Sequence, residues 1–288
     1  MRPIVKYGLL LLSAIAAALL LVPGLASQNN KIWYSDRVAV IAYHHIDDQI
    51  QGDVTITTAR FRDQLTDLLQ RGYHFISLQQ FRAYMAGGPV PPNAVLVTFD
   101  DGYRSFYTNA YPVLKELNIP ATNFVITKDL ANPLASRIPS LSREEIRQMT
   151  GETKGIDVQC HTDNLHDVGP DGGALFTTPQ KIGGRMETEA EFERRIVEDT
   201  KMCRAKLAEL YPGPEDAFAY PFGIYDQHSA SLLQQAGIRY AFTTVSGLTS
   251  RSTDPMQIPR INAGSPFVQA NSLNNLIIRK LHQSQSTK

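Results

Sequence analysis

Apolar and polar positions along this chain follow two periods, and the switch from one to the other recurs through most of its length. "RVAVIAY" and "AVLVTF" are short, almost unbroken apolar runs rich in β-branched residues, as strands buried on both faces are. Between them, "TTARFRDQLTDLLQRG" places Phe61, Leu65, Leu68 and Leu69 on one helical face, with Gly72 just past its end. The pattern then predicts a helix over 105–117 despite Pro112, a strand in "ATNFVI", a helix in "SREEIRQM" opened by the capping-box spacing of Ser142 and Glu145, and a strand in "IDVQC". Thr188 and Glu191 open a helix running to about Leu210, with Phe192, Ile196, Thr200, Cys203 and Leu207 on one stripe. "AFAYPF", a helix over 229–236 stopped by Gly237, "YAFTTV", "QIPRIN" and a helix around Leu273 to Leu281 complete the series. Such alternation predicts parallel βα units closing into an α/β barrel whose strand ends carry the chemistry. The Gly-, Pro- and Thr-rich stretch from Asp167 to Arg185 is expected to be a functional loop.

The first residues break this pattern. Arg2 and Lys6 precede an uncharged run from Tyr7 to Val22, followed by Pro23-Gly24-Leu25-Ala26-Ser27, which is a secretory signal pattern. Cleavage after about Ala26 and retention as an N-terminal membrane anchor are both compatible with it, so 1–26 is assigned to signal or anchor and 27–36 to a linker. The catalytic domain is expected over 37–282, with a tail at 283–288 and an extracellular or cell-surface location. The 288 residues suit one α/β barrel with flanking segments. The 28 basic and 28 acidic residues balance, which argues against nucleic acid or another polyanion as partner. Oligomeric state is not legible. Cys160 and Cys203 are the only cysteines; the strand-like setting of Cys160 favours a buried structural thiol over a disulfide or a metal ligand.

The end of "AVLVTFDDG" sets two carboxylates side by side where an apolar strand stops. Asp100 and Asp101 repel each other and are partly desolvated, so folding gains nothing from them without nearby positive charge. Alone, the pair could equally be a turn with one Asp capping the next helix. "CHTDNLH" adds His161 and His166 at another strand end, a spacing that suits a strand end and its loop better than one helical face. One oxygen from Asp101 and two nitrogens from these imidazoles suit Zn²⁺ or a similar divalent ion such as Co²⁺ or Ni²⁺, which leaves Asp100 free to act as a general base on water.

"TFDDG", "HTDNLH" and "AYPFG" together resemble, in this order, motifs of the polysaccharide deacetylases, carbohydrate esterase family 4 with its NodB-like domain, and the resemblance extends from about Val38 to Asn262. It implies a distorted (β/α)7 barrel, metal-dependent removal of acetyl groups from an acetylated aminosugar polymer, Asp100 as base, Asp101, His161 and His166 as metal ligands, and a Phe222 backbone N–H at the oxyanion. Two features depart from the family pattern. Ala219 stands where many members carry an Arg that steadies the base, and the late His282 lies in the terminal helix, where a surface position is expected. "VIAYHHIDD" is similar to the branch acting on poly-β-1,6-N-acetyl-D-glucosamine, which implies His44 as the general acid. A solvated strand end, an auxiliary metal site and His45 as the acid are the alternatives. Tyr103, Arg104, Asn123, Tyr225, Asp226 and Arg260 are candidate groove residues, and Trp33 is an anchor against the barrel or a membrane interface. Peptidoglycan, chitin oligomers and xylan are the alternative substrates, and a non-catalytic carbohydrate-binding protein is the rival of another class.

Overall fold

The computed structural model describes residues 31–50 and 52–286, of which Ile32 onward belong to one compact unit. The expected signal run and its cleavage position lie outside the described residues. Among the described residues no helix is long and apolar enough to cross a membrane.

The frame is a parallel, curled sheet. It holds β1 (Val38–Tyr43), β4 (His74–Phe75), β5 (Ala94–Phe99), β6 (Ala121–Val125), β7 (Ile156–Cys160), β10 (Ala217–Ala219), β11 (Tyr240–Phe242) and β12 (Ile261–Asn262), while β2 (His45–Ile46) and β3 (Thr55–Ile56) pair with each other outside it. The spatial order is β11-β10-β7-β6-β5-β1-β12, with β4 paired to the start of β5. Beyond β11, Ile258 bridges Phe242 while Ile261 and Asn262 pair with Ile41 and Ala42. One short segment thus touches both edges of the sheet and draws the barrel closed. The order and direction agree with the expected distorted (β/α) barrel. "QIPRIN" and "YAFTTV" form less strand than their composition suggests, because closure leaves each only two or three ladder positions.

β1 and β5 read as continuous apolar runs because both faces are buried. Val38, Val40, Leu96, Phe124, Phe242 and Ile258 fill the barrel interior. The alternate residues Ile41, Tyr43, Val95, Val97 and Phe99 pack outward against Phe61, Leu65 and Leu68 of α1 (Thr58–Gln70). Around the sheet run α2 (Leu78–Met85), α3 (Tyr111–Leu117), α4 (Arg143–Glu152), α5 (Glu189–Ala208), α6 (Gln227–Gln235) and α7 (Ala270–Ser286). The capping boxes expected at Ser142/Glu145 and Thr188/Glu191 are formed. Pro112 is tolerated because the π-helical turn at Phe106–Ala110 runs directly into α3 and changes the backbone spacing just ahead of the ring. α7 extends past the expected domain end to Ser286. The 167–185 loop ends in a two-strand hairpin, β8 (Lys181–Ile182) and β9 (Arg185–Met186), turned by Gly183 and Gly184 with left-handed φ values of 59° and 87°.

Candidate active site

In a parallel sheet all strand ends point to one rim, and there the chain delivers its polar residues. β1 leads into His44, β5 into Asp100 and Asp101, β7 into His161, and β10 toward Phe222. Backbone strain gathers at these exits: Asp101, Thr162 and Phe222 are non-glycine residues with φ of 69°, 77° and 57°. Such conformations cost about 1–3 kcal/mol each and persist only where the surroundings over-determine them. Gly102, at φ 68°, has a further reason to be glycine, since a Cβ there would lie 2.9 Å from the Val125 Cγ1.

The expected ligand set converges. Nε2 of His161 and Nε2 of His166 each lie 3.4 Å from Oδ1 of Asp101, and one ligand atom from each of the three residues falls within 4.8 Å of the others. His161 Nδ1 is 2.7 Å from the Ala219 carbonyl oxygen, to which it donates, which fixes the ring with Nε2 turned toward Asp101. Burial, reinforced by the neighbouring His161, pushes His166 down to about 4 and keeps that imidazole neutral near pH 7. Burial alone would raise the Asp101 carboxyl, but its hydrogen bond to His161 and the charge beside it hold it well below the ordinary range. An anionic oxygen and two imidazole nitrogens in a mostly buried pocket match the donor set of a divalent cation, so these residues fit the expected metal. Glu189, Glu193 and His228 form another such grouping, but an exposed one in which His228 Nε2 already lies 2.9 Å from Glu193.

Asp100 is almost fully buried beside them. Arg260 grips both its oxygens, Nη1 to Oδ1 at 2.7 Å and Nη2 to Oδ2 at 2.6 Å, while Arg260 Nε donates to the Thr243 carbonyl. Burial pushes the Asp100 carboxyl up, yet the Arg260 charge and hydrogen bonds more than offset this and hold it below the ordinary carboxylate value. The position expected of an arginine at Ala219 is thus matched by Arg260, from the segment just before β12. Residue type and strand end marked Arg260 as a groove candidate, but nothing in the local pattern pointed to Asp100, because the partners are 160 residues apart.

His44 Nε2 stands 3.8 Å from Asp100 Oδ2, and its buried Nδ1 has no hydrogen-bond partner among the described residues. His45 turns elsewhere: its Nδ1 is 3.5 Å from the Thr55 hydroxyl, and its ring meets Tyr103 edge-on at 5.3 Å. Phe222 is 48% exposed, with its ring 4.5 Å from that of His166. Other groove candidates take structural partners. Asn123 pairs in register with Phe99 on the helix-facing side of the sheet and is fully buried, because alternation sends Thr122 rather than Asn123 inward. Arg104 pairs with Glu145 at 2.7 Å, Asp226 caps α6 and Tyr225 stacks on Tyr220. Trp33 anchors on the barrel core, its backbone N–H bonded to Asn93, and His282 is exposed as expected. Cys160 and Cys203 are joined in a disulfide rather than held as separate buried thiols, since the helical stripe faces the strand end.

Comparison with known proteins agrees with this site. Residues 87–241, more than half of the chain, match the polysaccharide deacetylase profile. The chain belongs to the polysaccharide deacetylase family. Family membership makes it a hydrolase acting on amide carbon–nitrogen bonds. Within the family, a poly-β-1,6-N-acetyl-D-glucosamine N-deacetylase of Staphylococcus epidermidis is 30% identical over 207 residues, which cover 72% of this chain and 67% of that protein. IcaB from Ammonifex degensii superposes with a TM-score of 0.69 at 29% identity, over 82% of this chain and 97% of the other. A de-N-acetylase from Aggregatibacter actinomycetemcomitans, at 23% identity and TM-score 0.73 over 84% of this chain and all of its own, shares the fold.

Proposed function

We propose that this polysaccharide deacetylase is an exported, metal-dependent N-deacetylase of poly-β-1,6-N-acetyl-D-glucosamine, a biofilm exopolysaccharide. The observation that carries this reading is His44 facing the Arg260-held Asp100 beside the Asp101–His161–His166 cluster. The relatives named for that substrate support the choice of polymer. Export is supported by the apolar run behind Arg2 and Lys6, and by a disulfide, which persists in oxidising compartments. The same N-terminal segment would provide membrane or cell-wall association.

Asp101, His161 and His166 would hold one divalent cation, Zn²⁺ suiting the donors best, with Co²⁺ or Ni²⁺ as alternatives; it would supply positive charge that polarises the acetyl carbonyl and acidifies water. Asp100 is kept anionic by Arg260 and takes the proton of the attacking water. The backbone N–H of Phe222 donates to the oxyanion as charge develops on the carbonyl oxygen. His44 gives its proton to the departing amine, so that amide and water become acetate and a glucosamine unit.

Acetate release from defined acetylated β-1,6-glucosamine oligomers, compared with chitin oligomers, peptidoglycan and acetylated xylan, tests the assignment. Turnover is expected on the first; activity confined to another polymer would reassign the substrate. Absence of turnover on all of them, with sugar binding retained, would favour a binding protein.

A further inference from the structure

We propose that one face of α5 is a brace that positions the 160–166 segment and thereby sets its affinity for a divalent cation; this rests on the metal reading above. Asp199, Cys203 and Lys206 project from one side of α5, at i, i+4 and i+7. Asp199 accepts two consecutive backbone N–H groups, Oδ1 from Asp163 at 2.8 Å and Oδ2 from Asn164 at 2.7 Å. Cys203 is bonded to Cys160, the residue before the first imidazole. Lys206 donates to Asp163 Oδ1 at 2.6 Å, the oxygen that the Thr127 hydroxyl also meets at 2.6 Å. From the opposite side, Thr127 N–H and Lys128 N–H bond the carbonyls of Thr162 and Asp163. Cys160, Thr162, Asp163 and Asn164 are therefore each tied down between or beside His161 and His166.

Packing alone does not call for this chemistry. Apolar residues would seat α5 on the sheet without the desolvation of a carboxylate and an ammonium. What the polar brace adds is direction: it fixes two successive peptide planes and holds Thr162 in its strained left-handed conformation, with φ at 77°. Ligands serve a cation only when their own supports hold them to within about 0.5 Å. Both sulfurs are wholly buried, so in the native fold the disulfide is a permanent strut beyond the reach of dissolved thiols.

Zn²⁺ affinity of the metal-stripped protein, measured by competition with a chromophoric chelator, tests the brace in wild type, Asp101→Ala, Asp199→Ala, Asp199→Asn, Lys206→Met and the Cys160→Ala/Cys203→Ala pair. Asp199→Ala and the cysteine pair are expected to bind about tenfold or more weakly, the usual effect of removing a ligand's support. Asp199→Asn should lose less, since its amide oxygen still accepts one N–H. Saturating Zn²⁺ should return kcat of the braced-face variants to near the wild-type value, which a merely structural lesion would not allow. Affinities within twofold of wild type in the folded variants, or kcat unrecovered by excess metal, would overturn the brace; should Asp199→Ala not fold, Asp199→Asn and Lys206→Met decide. A wild-type protein taking up no ion sensitive to Asp101→Ala overturns the metal reading itself, and the brace with it.

Discussion

At the scale of single residues, Arg260 and His44 meet one buried carboxylate from two sides. Arg260 holds Asp100 in a two-pronged grip that fixes both its orientation and its charge. Arg260→Met strips a buried anion of its partner, at a cost of about 3–5 kcal/mol, measurable by denaturant unfolding. Without that charge the Asp100 carboxyl titrates higher, so the acidic limb of kcat/KM against pH should move to higher pH; an unmoved limb would mean that Asp100 is not the base. Arg260→Lys keeps the charge but not the fork, and should fall between the two. His44→Ala is expected to lower kcat/KM by about 10²–10⁴-fold while leaving metal content intact. His45→Ala should do far less, because that ring packs on Tyr103 instead of facing Asp100.

At the scale of elements, α5 carries a pH signature. Burial, its largest influence, raises the Asp199 carboxyl to about 6 despite the two backbone N–H groups it accepts. The folded value lies above the ordinary value of 3.8, so the folded state binds this proton more tightly than the unfolded chain does. The associated stability is fully present below pH 3.8 and is lost as pH rises through about 6. Subtracting the unfolding free energy of Asp199→Asn from that of wild type at each pH should give a curve that falls across this window and is flat above it; a curve rising with pH would reverse the assigned shift. α1 offers a parallel case of polar function inside an apolar stripe. Gln64 is fully buried, accepting from the Tyr43 hydroxyl and donating to the carbonyls of Ala263 and Val268, and so ties α1 to the segment after β12.

At the scale of the whole molecule, two tethers bear on stability. The Cys160–Cys203 bond closes a loop of sequence separation 43, for which chain entropy gives roughly 4 kcal/mol. The cysteine-to-alanine pair should unfold at lower denaturant by up to that amount. On the metal reading proposed above, ion uptake would add the other tether. With Zn²⁺ at 100 times its Kd, unfolding should cost about 2.7 kcal/mol more, seen as a rise in Tm that EDTA reverses and Asp101→Ala abolishes. A chelator-insensitive Tm would count against ligation by this cluster.

The alternation of strands and helices was legible because each periodicity is local, and so were Asp100, Asp101, His161 and His166, because strand ends of a parallel sheet share a rim wherever the barrel closes. The capping boxes of α4 and α5 needed only residues three apart. Tertiary structure alone decided that Arg260 reaches Asp100, that His44 rather than His45 faces it, that Cys203 meets Cys160, and that Asn123 turns away from the groove. The physical reason is common to all four. Each depends on the rotation of a strand or helix about its own axis relative to a partner remote in the chain. That rotation is set by packing of the assembled sheet, which no local pattern records.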